Sequence, residues 1–312
     1  MNSSSPSRGF AQALLAAQEA SAGQQHPTHT LYVVATPIGN LADIGLRALH
    51  VLGLVDALAC EDTRHTQQML RAYGLERSQQ SLLAVHQHNE AEAAASVLER
   101  LARGERVAYV SDAGTPAISD PGARLVQAVR AAGHRVVPLP GASSVTTLLS
   151  AAGVLGDGFV FRGFLPSKAS ERAQAVQALA QEPRAVVLLE APHRIEALAQ
   201  ALAALGERAV TLGRELTKQF EQIETRPAQA LPTWLAERPE HLRGEFVLVL
   251  HEQASATTRG EGERILRALL PELPLKTAVR LAAELSGESR NALYERALAL
   301  KQAKGDEGEA QA

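Results

Sequence analysis

The chain has 312 residues, 46% of them apolar and 21% charged, an ordinary globular balance with enough length for two cored domains. A net charge of −3 does not mark a nucleic-acid binder. Although 26 of the 31 basic residues are arginine, that excess reads more simply as a compositional bias than as an RNA-contact signal. The single cysteine, Cys60, excludes an internal disulfide and a cysteine-built metal site and points to a reducing compartment, so a cytoplasmic location is expected.

Residues 1–29 are rich in Ser, Gln and Ala and lack sustained periodicity. They read as a disordered leader, with a short helix fitting Phe10–Ala20. The apolar run Ala13–Ala17 is too short for a signal-peptide core or a membrane span. From Leu31 the pattern changes. Short apolar runs at Leu31–Thr36, Val55–Cys60, Ser81–Val85, Arg106–Ser111 and Arg135–Leu139 predict strands. Segments of helical spacing such as Ala91–Ala102 and Ala123–Ala132 lie between them. Alternation of this kind predicts a mainly parallel sheet with helices on both faces, hence an α/β fold.

Gly153–Gly158 reads as a linker between a first α/β domain, 30–153, and a second, 154–253. In the second, strands are predicted at Phe159–Arg162, Ala185–Glu190, Ala209–Arg214, Gln219–Thr225 and Glu245–His251. Helices are predicted at Lys168–Gln181 and His193–Leu205. A helical tail domain, 260–303, is broken by Pro271 and Pro274. It holds a helix–turn–helix pattern over Lys276–Leu285, Ser286-Gly287 and Ser289–Leu300, which serves plain structure as readily as nucleic-acid contact.

Open α/β sheets bind ligands beyond the carboxyl ends of their strands, so the loops there hold the candidate site. After the fourth strand, eleven residues from Asp112 to Gly122 include two Gly, two Pro and two Asp. Glycine admits close backbone approach and proline fixes loop shape, as a ligand loop requires. No G-x-G-x-x-G follows the first strand and no Walker-A sequence occurs, which disfavours nicotinamide and nucleoside-triphosphate chemistry. His86 and His88 have no third ligand nearby in sequence, so no metal is expected. His193, at a strand-to-helix junction, suits a helix start or a site better than a core.

Six motifs in register carry a resemblance. LYVVATPIGNL (31–41), CEDTR (60–64), SDAGTPAISDPG (111–122), PLPGASSV (138–145), EAPHR (190–194) and GRELTK (213–218) together resemble the bacterial small-subunit ribosomal RNA cytidine 2′-O-methyltransferases, within the tetrapyrrole-methylase-like group. The resemblance implies two α/β domains with S-adenosylmethionine in the cleft between them, a homodimer, and a cytidine in the decoding region of 16S RNA as target. It carries cofactor contacts to Pro37, to Asp112, Ala113, Gly114, Thr115, Ile118 and Ser119, to Gly141, Ala142, Ser143 and Ser144, and to Leu189 and Glu190.

Transfer to a ribose hydroxyl needs alignment and a general base. Two polar clusters are compatible with that need. In Glu61-Asp62-Thr63-Arg64 the acids suit proton transfer or ribose orientation and Arg64 suits a phosphate; equally, Asp62 is placed to cap a helix. The second is Arg214–Lys218, with Glu215 and Lys218 as its candidates. The base stays open among Glu61, Asp62, Glu215 and Lys218, with a carboxylate of the first cluster preferred. Two other readings remain: carbon methylation of a corrin or porphyrin precursor, and a non-catalytic RNA-binding assembly factor.

Overall fold

The computed structural model describes residues 10–86, 89–156, 158–253 and 256–309, without the side chains of 256–261 and 301–309. Met1–Gly9 of the expected leader, His88, and Asp157 of the expected linker lie outside the described residues. The chain opens with α1 (Ala11–Ser21) and β1 (Thr30–Val34). It continues through α2 (Leu46–Leu54), β2 (Ala57–Cys60), α3 (Thr63–Ala72), β3 (Leu82–Ala84), α4 (Glu90–Ala102) and β4 (Arg106–Val110). The first half closes with α5 (Ala123–Ala131), β5 (Arg135–Leu139) and α6 (Ser144–Ala152). These strands form one parallel sheet in the order β3-β2-β4-β1-β5. Both of its faces are covered: Tyr32, Leu52, Leu58 and Tyr73 lie on one side, and Leu31, Val97, Tyr109 and Leu125 on the other. The near-continuous apolar strands therefore follow from burial on two faces.

Residues 10–29 are not a disordered leader. Helix α1 packs on α2, with Ala17 fully buried and Phe10 edge-on to Tyr73. The following segment is tied by the carbonyls of His26 and Pro27, which accept from Arg106 and Tyr32. The short helix that fits Phe10–Ala20 is present, and it is docked: Phe10, Ala13, Leu14 and Ala17 join the core of the first sheet.

The second half contains β6 (Phe159–Gly163), α7 (Ala169–Leu179), β7 (Ala185–Glu190), α8 (Ile195–Leu202), β8 (Ala209–Arg214), β9 (Gln222–Pro227), α9 (Leu231–Ala236) and β10 (Phe246–Leu250). Its sheet runs β6-β7-β10-β8-β9 and is mixed: only β6–β7 is parallel. The strand expected over Gln219–Thr225 lies later, because Phe220 belongs to the turn whose carbonyl accepts from Arg214. Arg208 is buried, and its guanidinium donates to the carbonyls of Leu179, Glu182, Arg184 and His251, so a charge substitutes for four chain-end hydrogen bonds.

The two sheets share a core. Val145, Leu148 and Ala152 of α6 join Ile38 and pack on Ala185, Val187, Val247 and Val249. Gly213 makes this approach feasible, since a Cβ there would sit 2.7 Å from Leu148. The tail is a three-helix unit of α10 (Ala256–Leu269), α11 (Leu275–Ser286) and α12 (Arg290–Glu309) around Leu266, Ala278, Ala282 and Leu293. Gly287, at φ +71°, ends α11. Glu288 then accepts from the Gly262 amide and pairs with Arg296 at 2.6 Å, joining all three helices.

Candidate active site in the cleft

The loops following β1, β4 and β5 face the ends of β6, β7, β8 and β10 across the shared core. Between them lies a cavity of about 370 Å³ that continues into a second of about 520 Å³, the two meeting at Ile38, Ala113 and Glu245. Both fall in the size range of small-ligand sites.

The first cavity brings together Ala113, Gly114, Thr115, Ile118, Ser119, Ser143, Ser144, Leu189 and Glu190. The β4 loop is held in shape from several sides. The Thr36 and Gly114 backbones exchange hydrogen bonds of 2.9 and 3.0 Å, and the Thr115 hydroxyl donates to the Ala142 carbonyl at 3.0 Å. Gly114 adopts φ +82° and Ala117 φ +63°, a left-handed conformation uncommon outside glycine. Of the other three such non-glycine residues among the described ones, two, Glu215 at +52° and Thr217 at +67°, lie in the β8–β9 loop on the opposite side of the cleft. Strain of this kind persists where surrounding contacts over-determine the backbone, and it concentrates at functional sites.

Of the expected cofactor residues, Pro37 and Asp112 line the second cavity instead, and Gly141 and Ala142 line neither. Ala142 sits behind Thr115 as its acceptor. Gly141 packs against Ala35, whose Cβ would be 2.8 Å from a Cβ at 141, so it is a close-approach position between loops. Reasoning from sequence overlooked Ile38, Asp120, Phe161, Phe164, Leu216 and Glu245. Ile38, Asp120 and Leu216 lay inside the motifs, whereas Phe161, Phe164 and Glu245 carried no motif signal.

Glu190 fits a ligand with N–H donors. It is 3% exposed; its Oε1 accepts from the Ala191 amide and faces Arg194 at 3.0 Å, while its Oε2 is buried without a partner. An orphaned carboxylate oxygen in a cavity wall is costly unless a ligand satisfies it. His193 is exposed in the one-turn 3-10 helix Pro192–Arg194 and does not line the cavity.

The second cavity is bounded by Pro37, Gly39, His65, Met69, Asp112, Lys218 and Glu245. Lys218 crosses from the second sheet to lie on Gly39, where a Cβ would sit 2.4 Å from its Cγ. Its Nζ bridges Glu215 at 2.8 Å and Glu245 at 2.9 Å. Despite partial burial, the hydrogen bonds to these carboxylates hold the ammonium above its usual range. Glu215 also accepts from the Glu245 amide at 3.0 Å, and these donors hold its carboxyl below the ordinary value despite burial. Both groups are thus kept charged within an ion-pair clasp, which suits neither to taking a proton.

Asp62 is the N-cap of α3, accepting from the amides of Arg64 at 2.7 Å and His65 at 3.3 Å, which lowers its carboxyl pKa. Its own amide donates to Asp112 Oδ1 at 3.1 Å. Glu61 is half-buried beside Asp112 and Asp120. Burial first, and these like charges next, raise its pKa, against one hydrogen bond from the Asp112 amide. Arg64 lines neither cavity but borders a shallow depression on α3, with its charge still felt by Asp62. Among the described residues no cluster of His, Cys, Asp or Glu suits a metal ion, and no helix is long and apolar enough to cross a membrane.

This architecture is that of a tetrapyrrole-methylase-type methyltransferase. The family model of the Tetrapyrrole (Corrin/Porphyrin) Methylases matches residues 30–232, and that of the RsmI C-terminal HTH domain matches 256–301. The methyltransferase CobJ (TM-score 0.54, 18% identity, 72% of this chain and 94% of that one) and a diphthine synthase (0.54, 14%, 71% and 90%) share the fold. Relatives named ribosomal RNA small subunit methyltransferase I are far nearer in sequence. Those of Escherichia coli O157:H7 and Pseudomonas aeruginosa are each 47% identical over 86% of this chain and 94% and 96% of their own lengths. The chain belongs to the ribosomal RNA small subunit methyltransferase I family, and it is an S-adenosylmethionine-dependent methyltransferase.

Proposed function

We propose that the chain methylates the ribose 2′-hydroxyl of a cytidine in the decoding region of 16S RNA, acting in the cytoplasm on the small ribosomal subunit as a homodimer. The division at 30–153, 154–253 and 260–303 belongs to this reading, with residues 10–29 joined to the first unit. The observation that carries it is the continuity of two cavities. One has apolar walls and the orphaned Glu190 oxygen; the other is rimmed by charged groups.

In this reading the first cavity holds S-adenosylmethionine, whose sulfonium supplies an electrophilic methyl. Ala113, Thr115, Ser119, Ser143, Ser144 and Leu189 would enclose it, and Glu190 Oε2 would accept an N–H from it. The acceptor ribose enters beside Pro37, Asp112 and Lys218. Alignment of reactants contributes about 7–11 kcal/mol when geometry is good. Glu61 lines neither cavity but lies beside Asp112 of the second, and its raised pKa makes it the group to take the hydroxyl proton, a contribution on the order of 10²–10⁴-fold. Asp112 anchors Glu61 and Asp62, while Lys218 stays protonated and offers positive charge to the developing alkoxide.

The test uses small subunits from a strain lacking the enzyme, labelled donor, and nucleoside analysis after digestion. Label on a cytidine 2′-oxygen is expected. Label on base carbon or nitrogen, or none in RNA, overturns the reading.

A further inference from the structure

Helix α3 has a chemistry that the cleft does not use. Its sequence, Thr63-Arg-His-Thr-Gln-Gln-Met-Leu-Arg-Ala72, contains no acid in a chain whose net charge is −3. Thr66, Met69 and Leu70 bury one face, and Arg64, Gln68 and Arg71 are exposed on the other. Neither guanidinium makes a side-chain hydrogen bond or ion pair among the described residues. Among the described residues, exposed arginines without a carboxylate partner also occur singly at Arg47, Arg130, Arg135, Arg162 and Arg238; what sets α3 apart is that two lie on one helix face beside the second cavity.

Arg64 is also poorly placed for the helix itself. It is the second residue of α3, where the positive end of the helix dipole disfavours a cation. Helix stability therefore does not account for it. The two arginines and Gln67 line a shallow depression that shares Gln68 and Ala72 with the second cavity. The depression therefore runs into the place proposed for the acceptor ribose. The arginines are seven positions apart, about 10 Å along the helix axis, too far to grip one phosphate and suited to two along a strand.

We infer that this face of α3 is a phosphate track, on which Arg64 and Arg71 hold the RNA strand flanking the target nucleotide. The inference rests on the reading of the chain as an RNA methyltransferase and adds the route by which RNA reaches the cleft. Guanidinium forks suit phosphate oxygens, and Gln67 and Gln68 between them suit sugar hydroxyls and base edges. Contacts of this type position the strand without reading its sequence.

The experiment measures binding and methylation of small subunits, purified from a strain lacking the enzyme, across a potassium chloride series at fixed magnesium. Each phosphate contact to a single strand contributes about 0.7 to the slope of log K against log salt. The Arg64→Gln/Arg71→Gln variant should lose about 1.4 from that slope and bind about 10–30-fold more weakly near 0.1 M salt. Its loss should fall on KM for the subunit, with donor affinity and thermal midpoint held. Arg64→Lys/Arg71→Lys should keep the slope, because the slope counts charges. If the glutamine variant matches the wild type in slope and KM, or the lysine variant loses as much slope as the glutamine one, the track is overturned while the activity stands. If the wild type does not methylate the subunits at all, the functional reading and the track fall together.

Discussion

Asp112 accepts the backbone N–H of Asp62 through Oδ1 at 3.1 Å, and its own amide in turn donates to the carboxylate of Glu61. The loops after β2 and β4 are thereby sewn together, and two negative groups are held side by side. The arrangement fixes what pH should do. Glu61 is protonated below its raised pKa, so activity should fall as pH drops through a value above the ordinary glutamate one. Asp112→Asn removes the neighbouring charge and should move this acidic limb to lower pH, with Glu61→Gln abolishing it. A profile of kcat/KM against pH for the three proteins checks this; a limb unmoved by Asp112→Asn would remove Glu61 from the role of base.

Lys218→Met should separate positioning from protein stability. The clasp to Glu215 and Glu245 would open, and the side chain over Gly39 would lose its charge but keep most of its bulk. Turnover should fall about 10²-fold, in the manner of a lost electrostatic stabiliser, with donor affinity nearly unchanged. Single-turnover rates and donor titration separate the two outcomes.

Gly141→Ala tests the packing behind the donor loops. The new methyl would meet Ala35 at 2.8 Å, so β1 or the β5 loop must shift. A cost of about 1–3 kcal/mol is expected. Because the neighbouring Ala142 carbonyl holds Thr115, donor affinity should weaken along with the melting temperature. Calorimetric melting with and without donor reads both.

Glu190→Gln keeps the shape of the cavity wall but removes the charge that faces Arg194. Donor affinity should drop at least tenfold, about 1.4 kcal/mol, and the protein should lose stability too, because Arg194 is left without its partner. Arg194→Met should reproduce the stability loss and not the full affinity loss. Equal affinity loss in both variants would make Glu190 a purely structural residue.

Removal of residues 1–22 should lower the melting temperature by several degrees. It uncovers the face of α2 on which Ala17 is buried and strips Phe10 from Tyr73. Differential scanning of the truncated and full chains measures it.

The site was legible where backbone demands leave a mark in residue type. Gly114, Pro116 and Ser119 announced a shaped loop, and the Asp62 cap was readable from its position before a helix. Lys218 and Glu215 were found, but their clasp with Glu245 was not. Glu245 is separated from them by 27 residues or more, and only the antiparallel pairing of β8 with β10 brings it close. The apolar walls Phe161 and Phe164 were invisible for the opposite reason, since apolar side chains in or beside strands look like core. In the fold, the parallel first sheet was plain from its alternation with helices. The mixed second sheet was not, because strand direction there depends on connections such as the β8–β9 turn and not on strand composition. Helix α1 was read as a short helix, but its docking on α2 was not, because a small face of Phe10, Ala13, Leu14 and Ala17 carries little periodic signal.

Three non-glycine residues with left-handed backbones, Ala117, Glu215 and Thr217, flank the cleft. Glycine at 117 would release about 1–2 kcal/mol of backbone strain, whereas glycine at 215 would also delete the clasp to Lys218. A population of variants selected only for heat resistance should therefore drift toward glycine at 117 and loosen the donor loop as it does so. The place where this protein is easiest to toughen is a place where its working geometry is kept.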